Sequence, residues 1–341
     1  MTRILFLALL LLNGCSHFAI SVREDCIGPT GFFVLPLVTL HKYLSLQLSY
    51  AKITIVTKAL FFTALLCTAF AVNAQKVNEP SGSAAWSQPY PPFRIVGNVY
   101  YVGTYDLACY LITTSEGHIL VNTGLAASAD IIRKNIETLG FRITDVKILT
   151  TNQAHYDHVG ALAALQKMSG AKIMADSKDA SVLSDGGKSD YELSKYGVSF
   201  EPVKVDRPLN DNDVIGLGDT KITLLHHPGH TKGSCSFAFD TKDDNKTYRV
   251  LIANLPTIVT SRKLSDIPEY PGIATDLANT ISAQKQLTFD IWLAAHASQV
   301  NLHEKHKPGD PYNPQSFVDR PGYDQELKEL EGSYEKKLKQ K

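Results

Sequence analysis

The stretch "TTNQAHYDHVGALAAL", Thr150–Leu165, decides how this chain is read. The apolar run "VKILTT" before it has strand character, and the small-residue and leucine run that closes it is helical. Its polar residues therefore occupy the loop at a strand end. His155, Asp157 and His158 crowd that loop and supply half of a zinc-type ligand set. Many such clusters begin with another histidine; this one has Gln153. Asp157 also has a structural reading, as the cap of a helix starting at Val159.

Working outward, further histidines arrive at strand ends in the same way. His230 follows "ITLLHHPG" and His296 follows "DIWLAA". Layered α/β proteins gather their sites where strands end and loops present side chains. His226 and His227 end a strand beside His230 and are assigned supporting or structural roles. "HEKH", residues 303–306, lacks the spacing of a zinc-binding helix and is followed by Pro308, so it is read as surface. His118, after the Gly117 turn, is read as exposed.

The rest of the chain alternates strand runs with helices. "FRIVGNVYYVGTY" gives two strands around Gly97–Asn98, and "ACYLITTSEGHILVNTG" gives two more around Ser115–Gly117. "SADIIRKNIETLG" is a helix with Ser128 placed to cap it and Gly140 to stop it. "DVIGLGDTKITLLHH" is a hairpin, "GSCSFAFD" and "YRVLIAN" are strands, and "ATDLANTISAQKQL" and "YDQELKELEGSYEKKLKQ" are helices. This succession predicts an α/β fold of two sheets with helices outside them.

Composition sets the remaining bounds. The chain has 341 residues, 44% of them hydrophobic, enough for a substantial core. Its 34 Lys and Arg balance 34 Asp and Glu, and with no long basic run there is nothing to draw nucleic acid or an anionic membrane. "ALFFTALLCTAFAV", residues 59–72, follows Lys52 and Lys58 and is followed by Ala74, which reads as a signal peptide with its cleavage site. It is too short for a comfortable transmembrane helix. Residues 1–50 are expected to be an over-extended or unprocessed leader, 51–74 the signal peptide and 75–341 the functional domain, exported to the periplasm. Lipidation at Cys15 is the less favoured route. Of five cysteines only Cys109 and Cys235 lie beyond the signal, both in strand patterns that read as buried, with no disulfide implied by spacing.

"NQAHYDHVGAL", "HHPGHTKGSCSF" and "AAHASQ", in this order, resemble the metallo-β-lactamase superfamily, and more narrowly subclass B3 enzymes of the GOB type, in which a glutamine opens the first zinc motif. The likeness runs from about Trp86 to the carboxy terminus and takes in "GGKSDYELSKYGVSF" and "HKPGDPYNPQ". It implies an αββα sandwich of two mixed sheets with helices on the outer faces. It implies a first metal site of Gln153, His155 and His230, and a second of Asp157, His158 and His296. An amide oxygen is a weak donor to Zn²⁺, so the second site is expected to be the tighter.

The activity implied is hydrolysis of the β-lactam ring amide of penicillins, cephalosporins and carbapenems by a zinc-activated water, with Asp157 and His158 catalytic and no protein nucleophile. The partner is then a small-molecule β-lactam, with no nucleic acid and no stable membrane span in a mature monomer. Two other readings stand beside it: a lactonase or thioesterase of the same fold, and a zinc-binding relative without activity. The esterases usually carry a metal-bridging aspartate where this chain has Asn254, which lowers that reading. Many B3 enzymes place serines after this strand to hold the substrate carboxylate. The matching run here is Leu255, Pro256 and Thr257, so Thr257 and Leu255 are the substrate-binding candidates. Asn122–Thr123–Gly124, at the family's frequent Asp-containing turn, is expected to act as scaffolding.

Overall fold

The computed structural model describes residues 77–340. The expected leader over 1–50, the expected signal peptide over 51–74 and the Cys15 position lie outside the described residues.

Twelve strands form two mixed sheets. The first runs β1 (Phe93–Val96), β2 (Val99–Tyr101), β3 (Tyr110–Thr114), β4 (Gly117–Val121), β5 (Val146–Thr150), β6 (Lys172–Asp176) and β7 (Arg207–Leu209), in that spatial order. Its first four strands pair antiparallel, β1–β2 and β3–β4 through two-residue turns and β2–β3 through the 102–109 loop; from β4 to β7 the pairing is parallel. The second sheet has the order β12-β11-β10-β9-β8, built from β8 (Val214–Leu217), β9 (Thr220–His226), β10 (Cys235–Asp243), β11 (Lys246–Ala253) and β12 (Ile291–Ala294). Only β11 and β12 are parallel there, because the helix between them supplies the crossover.

Eight α-helices accompany the sheets among the described residues. They are α1 (Ala84–Ser87), α2 (Ala129–Thr138), α3 (Tyr156–Val159), α4 (Leu162–Ser169), α5 (Ala180–Asp185), α6 (Ile273–Lys285), α7 (Leu302–Lys305) and α8 (Arg320–Leu338). The central strands of the first sheet, β3 to β5, are largely buried on both faces, and their period of two divides the side chains between two cores. Tyr110, Ile112, Ile119, Val121 and Ile148 point toward the second sheet, where they meet Phe237, Ile252 and Leu293. Leu111, Leu120 and Leu149 point the other way, against Ile132 and Ile136 of α2 and Leu162 and Leu165 of α4. On the far side of the second sheet, Tyr323 of α8 meets Trp292 edge-on, ring centroids 5.4 Å apart. Each such fully buried aliphatic or aromatic side chain contributes roughly 2 kcal/mol. The fold is the αββα sandwich expected.

Four local expectations change. Ser128 precedes α2, but its hydroxyl makes no cap bond. Asp157 does not cap a helix at Val159: the helix begins at Tyr156, so Asp157 lies within its first turn, and a break at Gly160–Ala161 separates α3 from α4. His118 is not exposed. It is only 8% accessible and packs edge-on against Phe141, because the two-residue alternation of β4 puts it on the face of Leu120, the face that Phe141 covers. "HEKH" is not free surface either. His303 stacks on Tyr105 at 3.8 Å and donates to its carbonyl, and His306 stacks on Phe93 at 3.7 Å. Cys109 and Cys235 are free and buried, as expected.

Candidate metal centre

The loop after β5 is held before any ligand is considered. Asn122, at the end of β4, takes a left-handed backbone (φ 63°), which an asparagine tolerates better than most residues. Its side-chain oxygen accepts from Asn152 N at 3.0 Å and from Thr151 Oγ1 at 3.1 Å, while its amide nitrogen donates to Asn152 Oδ1 at 2.9 Å. Asn254, at the end of β11, donates from Nδ2 to the Asn152 carbonyl at 2.8 Å. The backbone that presents Gln153 and His155 is thus tied to both sheets, and the Asn122 turn acts as the scaffolding expected of it.

Three of the expected ligands converge. Asp157, His158 and His296 each offer one atom within 4.8 Å of the others. Asp157 Oδ2 lies 3.3 Å from His158 Nε2 and 3.5 Å from His296 Nε2. Neither ring nitrogen of the buried His158 has a hydrogen-bond partner, an arrangement that native interiors rarely leave without a ligand. One carboxylate and two imidazoles are a donor set that suits Zn²⁺ well. Burial lowers the pKa of His158, which keeps it neutral and able to donate a lone pair. Asp157 is held well below the ordinary carboxylate range: burial acts to raise it, but the two histidines outweigh that.

The second pair is more telling. His155 Nδ1 and His230 Nε2 face each other at 3.0 Å. The other nitrogen of His155 lies 3.2 Å from the Asp190 carboxylate, and the other nitrogen of His230 lies 2.9 Å from the Thr257 carbonyl. Those acceptors require N–H on the far side of each ring, which leaves a lone pair on each facing nitrogen. Two such nitrogens need a cation between them. In the metal-free protein that is a proton: burial acts to lower the pKa of His155, but the hydrogen bond to Asp190 and its charge outweigh it. A metal ion can take the place of that proton. Burial drives His230 down to about 3, with the neighbouring His155 adding to the fall. Gln153, buried, is two residues before His155 on the same loop, and its carbonyl accepts from Thr151 Oγ1 at 2.8 Å.

Several residues that the sequence did not single out hold this arrangement. Asp179, fully buried, accepts from Ala154 N at 2.8 Å, Gly233 N at 2.8 Å and Thr231 Oγ1 at 2.7 Å. It ties the loop of His155 to the loop of His230, and burial pushes its carboxyl up to about 6. Asp190 also accepts from Glu192 N at 2.8 Å, which fixes the carboxylate that meets His155. Asp106 meets His296 Nδ1 at 3.1 Å. His226 and His227 take the supporting places expected: His226 pairs with Asp176 at 2.6 Å, and His227 bonds Ser236 at 2.7 Å. Of the two substrate-binding candidates, Leu255 is buried in the inter-sheet core, and Thr257 lies with Oγ1 2.7 Å from His230 Nδ1.

Comparison with known proteins agrees with this geometry. Residues 103–243 match the family model of the metallo-beta-lactamase superfamily. A class B3 di-zinc metallo-beta-lactamase, LRA-12, from an Alaskan soil metagenome is 61% identical over 77% of this chain and 99% of its own, with a TM-score of 0.76. The metallo-beta-lactamase GOB-18 from Elizabethkingia meningoseptica is 56% identical over 78% of this chain and 99% of its own, TM-score 0.77. A beta-lactamase from Chitinophaga pinensis is 52% identical over 77% and 100%, TM-score 0.76. A hydroxyacylglutathione hydrolase from Bradyrhizobium sp. is 29% identical over 35% of this chain, which spans only 40% of that relative's length. With near-complete coverage at more than half identity, the chain belongs to the metallo-β-lactamase superfamily, among its class B3 members.

Proposed function

We propose that the protein is a zinc-dependent β-lactamase, hydrolysing the β-lactam ring amide of penicillins, cephalosporins and carbapenems and so conferring resistance. The observation that carries this is the meeting of Asp157, His158 and His296 within 4.8 Å, in a chain 56–61% identical to class B3 metallo-β-lactamases. Zinc, when bound, lowers the pKa of a water toward neutrality and polarises a carbonyl. Asp157, His158 and His296 would hold one ion; His155 and His230, with Gln153, would hold a second more weakly, since Gln153 brings a neutral amide.

The protein's own residues do the rest. Asp157 Oδ2 lies between two imidazoles and stays ionised, so it can accept a proton from an attacking water and orient it. His158 is neutral and has no other partner, so its ring is committed to the site. Thr257 sits beside His230; its hydroxyl accepts from the ring N–H and is left with a proton to donate to a substrate carboxylate. Leu255, two residues before it, shapes this end of the strand from the core side.

Position 254 argues against the esterase reading. Asn254 donates its side-chain N–H to a backbone carbonyl, a bond that a metal-bridging carboxylate could not make. We further propose that residues 51–74 export the chain and that 75–341 work as a monomer in the periplasm. No helix among the described residues is long and apolar enough to cross a membrane. The test is turnover: zinc-loaded protein should open the ring of a chromogenic cephalosporin, and Asp157→Ala should abolish this. An intact substrate with zinc-loaded parent protein would refute the reading.

A further inference from the structure

The segment that precedes β1 does more than lead into the fold. Pro89 bridges to Thr104, Tyr105 N donates to the Gln88 carbonyl at 2.7 Å, and Asp106 N donates to the Ala85 carbonyl at 3.2 Å. The loop it grips is in turn paired with the loop of His296. Leu107 bridges to His296, Ala297 N donates to the Asp106 carbonyl at 2.7 Å, and Ala108 N donates to the Ala295 carbonyl at 3.0 Å. Residues 84–89, the 104–108 loop and the 295–298 loop are therefore three consecutive backbone layers.

Side chains cross those layers at one atom. Trp86 Nε1–H donates to Asp106 Oδ2 at 3.1 Å, and His296 Nδ1 lies 3.1 Å from the same oxygen. Ser298 N donates to the other oxygen at 2.9 Å. The Trp86 ring also stands over His296, centroids 5.6 Å apart, and beside Tyr156 at 6.2 Å. Without Trp86, Asp106 is held only by Ser298 and by the His296 ring it has to orient, and both lie on the same loop. A rigid donor from the opposite layer fixes the carboxylate. With Asp106 fixed, His296 keeps its Nδ1 proton on that carboxylate, and Nε2, 3.5 Å from Asp157, is the nitrogen aimed into the metal site.

We infer that Trp86, acting through Asp106, is a positioning residue for the Asp157/His158/His296 metal site, so that the amino-terminal segment helps to set zinc affinity. The inference rests on the metal-site reading above. A tryptophan that merely filled space would need its ring but not its N–H. Trp86→Phe separates the two roles.

The test is chelator competition for the first equivalent of Zn²⁺ on metal-free protein, together with the visible ligand-field spectrum of the Co²⁺ form. Trp86→Phe should weaken the first site about tenfold and Asp106→Ala roughly 10- to 100-fold, in the range of lost outer partners of metal-binding histidines. Because both act along one path, the double variant should be no weaker than Asp106→Ala alone. The Co²⁺ spectrum should shift in both. Gly82→Ala gives an independent route, since a methyl at Gly82 would overlap the Trp86 ring, and it should weaken the site with the indole still present. Parental affinity and spectrum in Trp86→Phe, or full additivity in the double variant, would overturn the inference. Affinity is read without turnover, so a parent that binds zinc but opens no β-lactam refutes the activity while the Trp86→Phe comparison still decides this point.

Discussion

His155 and His230 face one another through Nδ1 and Nε2 at 3.0 Å, and the far nitrogen of each ring is held by an acceptor, Asp190 on one side and the Thr257 carbonyl on the other. The geometry turns one nitrogen of each ring toward the other in a buried place, where a proton or a metal ion can be shared between them. On the proposed reading the third ligand there is Gln153, two residues before His155, whose neutral amide is a weak donor to zinc. Gln153→His should therefore raise zinc stoichiometry at limiting metal by filling the first site, leaving the affinity of the Asp157 site near parental. Equilibrium dialysis with metal analysis checks this; unchanged stoichiometry would mean that Gln153 does not control the site.

Asp190 fixes His155 in the tautomer that points Nδ1 inward. Asp190→Asn should weaken the second, looser zinc equivalent by about tenfold. It should cost roughly 1–2 kcal/mol of stability in urea unfolding of the metal-free protein, because a buried charged hydrogen bond is replaced by a neutral one. Loss of stability with no change in metal binding would reduce Asp190 to a purely structural role.

Asn254 donates to the Asn152 carbonyl at 2.8 Å, and its own carbonyl accepts from Gln284 Nε2 at 2.7 Å. Asn254→Asp would set a carboxylate against a carbonyl oxygen in a buried position. We expect destabilisation of about 2 kcal/mol and no gain of lactone or thioester hydrolysis. Appearance of esterase turnover in that variant would restore the two-metal esterase reading.

The His226–Asp176 pair gives the protein a pH-dependent increment of stability. The hydrogen bond to Asp176 raises the pKa of His226 above its ordinary 6.5; burial opposes the rise, and Asp211 and Asp276 add to it. A folded-state pKa above the unfolded value means the contribution is complete below about 6.5 and fades as pH rises through the raised value. His226→Gln should cost about 1 kcal/mol at pH 6 and almost nothing at pH 9, read as the difference in thermal midpoint from parent. A constant difference across that range would contradict the assignment.

Much of this was legible in the sequence because it is local. The two-residue period of "YLITT" and "GHILV" sets which side chains face which core, and the histidines that end strands mark the site before any coordinates are seen. The partners of those histidines were not legible. Asp106 is 190 residues from His296 and Asp190 is 35 from His155, and no spacing rule joins them. His118 differs for a related reason: a turn glycine suggests exposure, whereas His118 shares the face of Leu120 and is covered by Phe141, which arrives from beyond the next helix. Likewise His303 and His306 found aromatic partners, Tyr105 and Phe93, that only the folded chain brings to them.

The most direct test of the account is a zinc titration of metal-free protein, with turnover of a chromogenic cephalosporin followed in the same samples, for parent and Asp157→Ala. The parent should take up one zinc tightly and a second more weakly, with activity appearing on metal addition, and Asp157→Ala should lose the tight equivalent and the activity together. A parent that fills with zinc yet leaves the cephalosporin intact, or an Asp157→Ala variant that retains both, would contradict it.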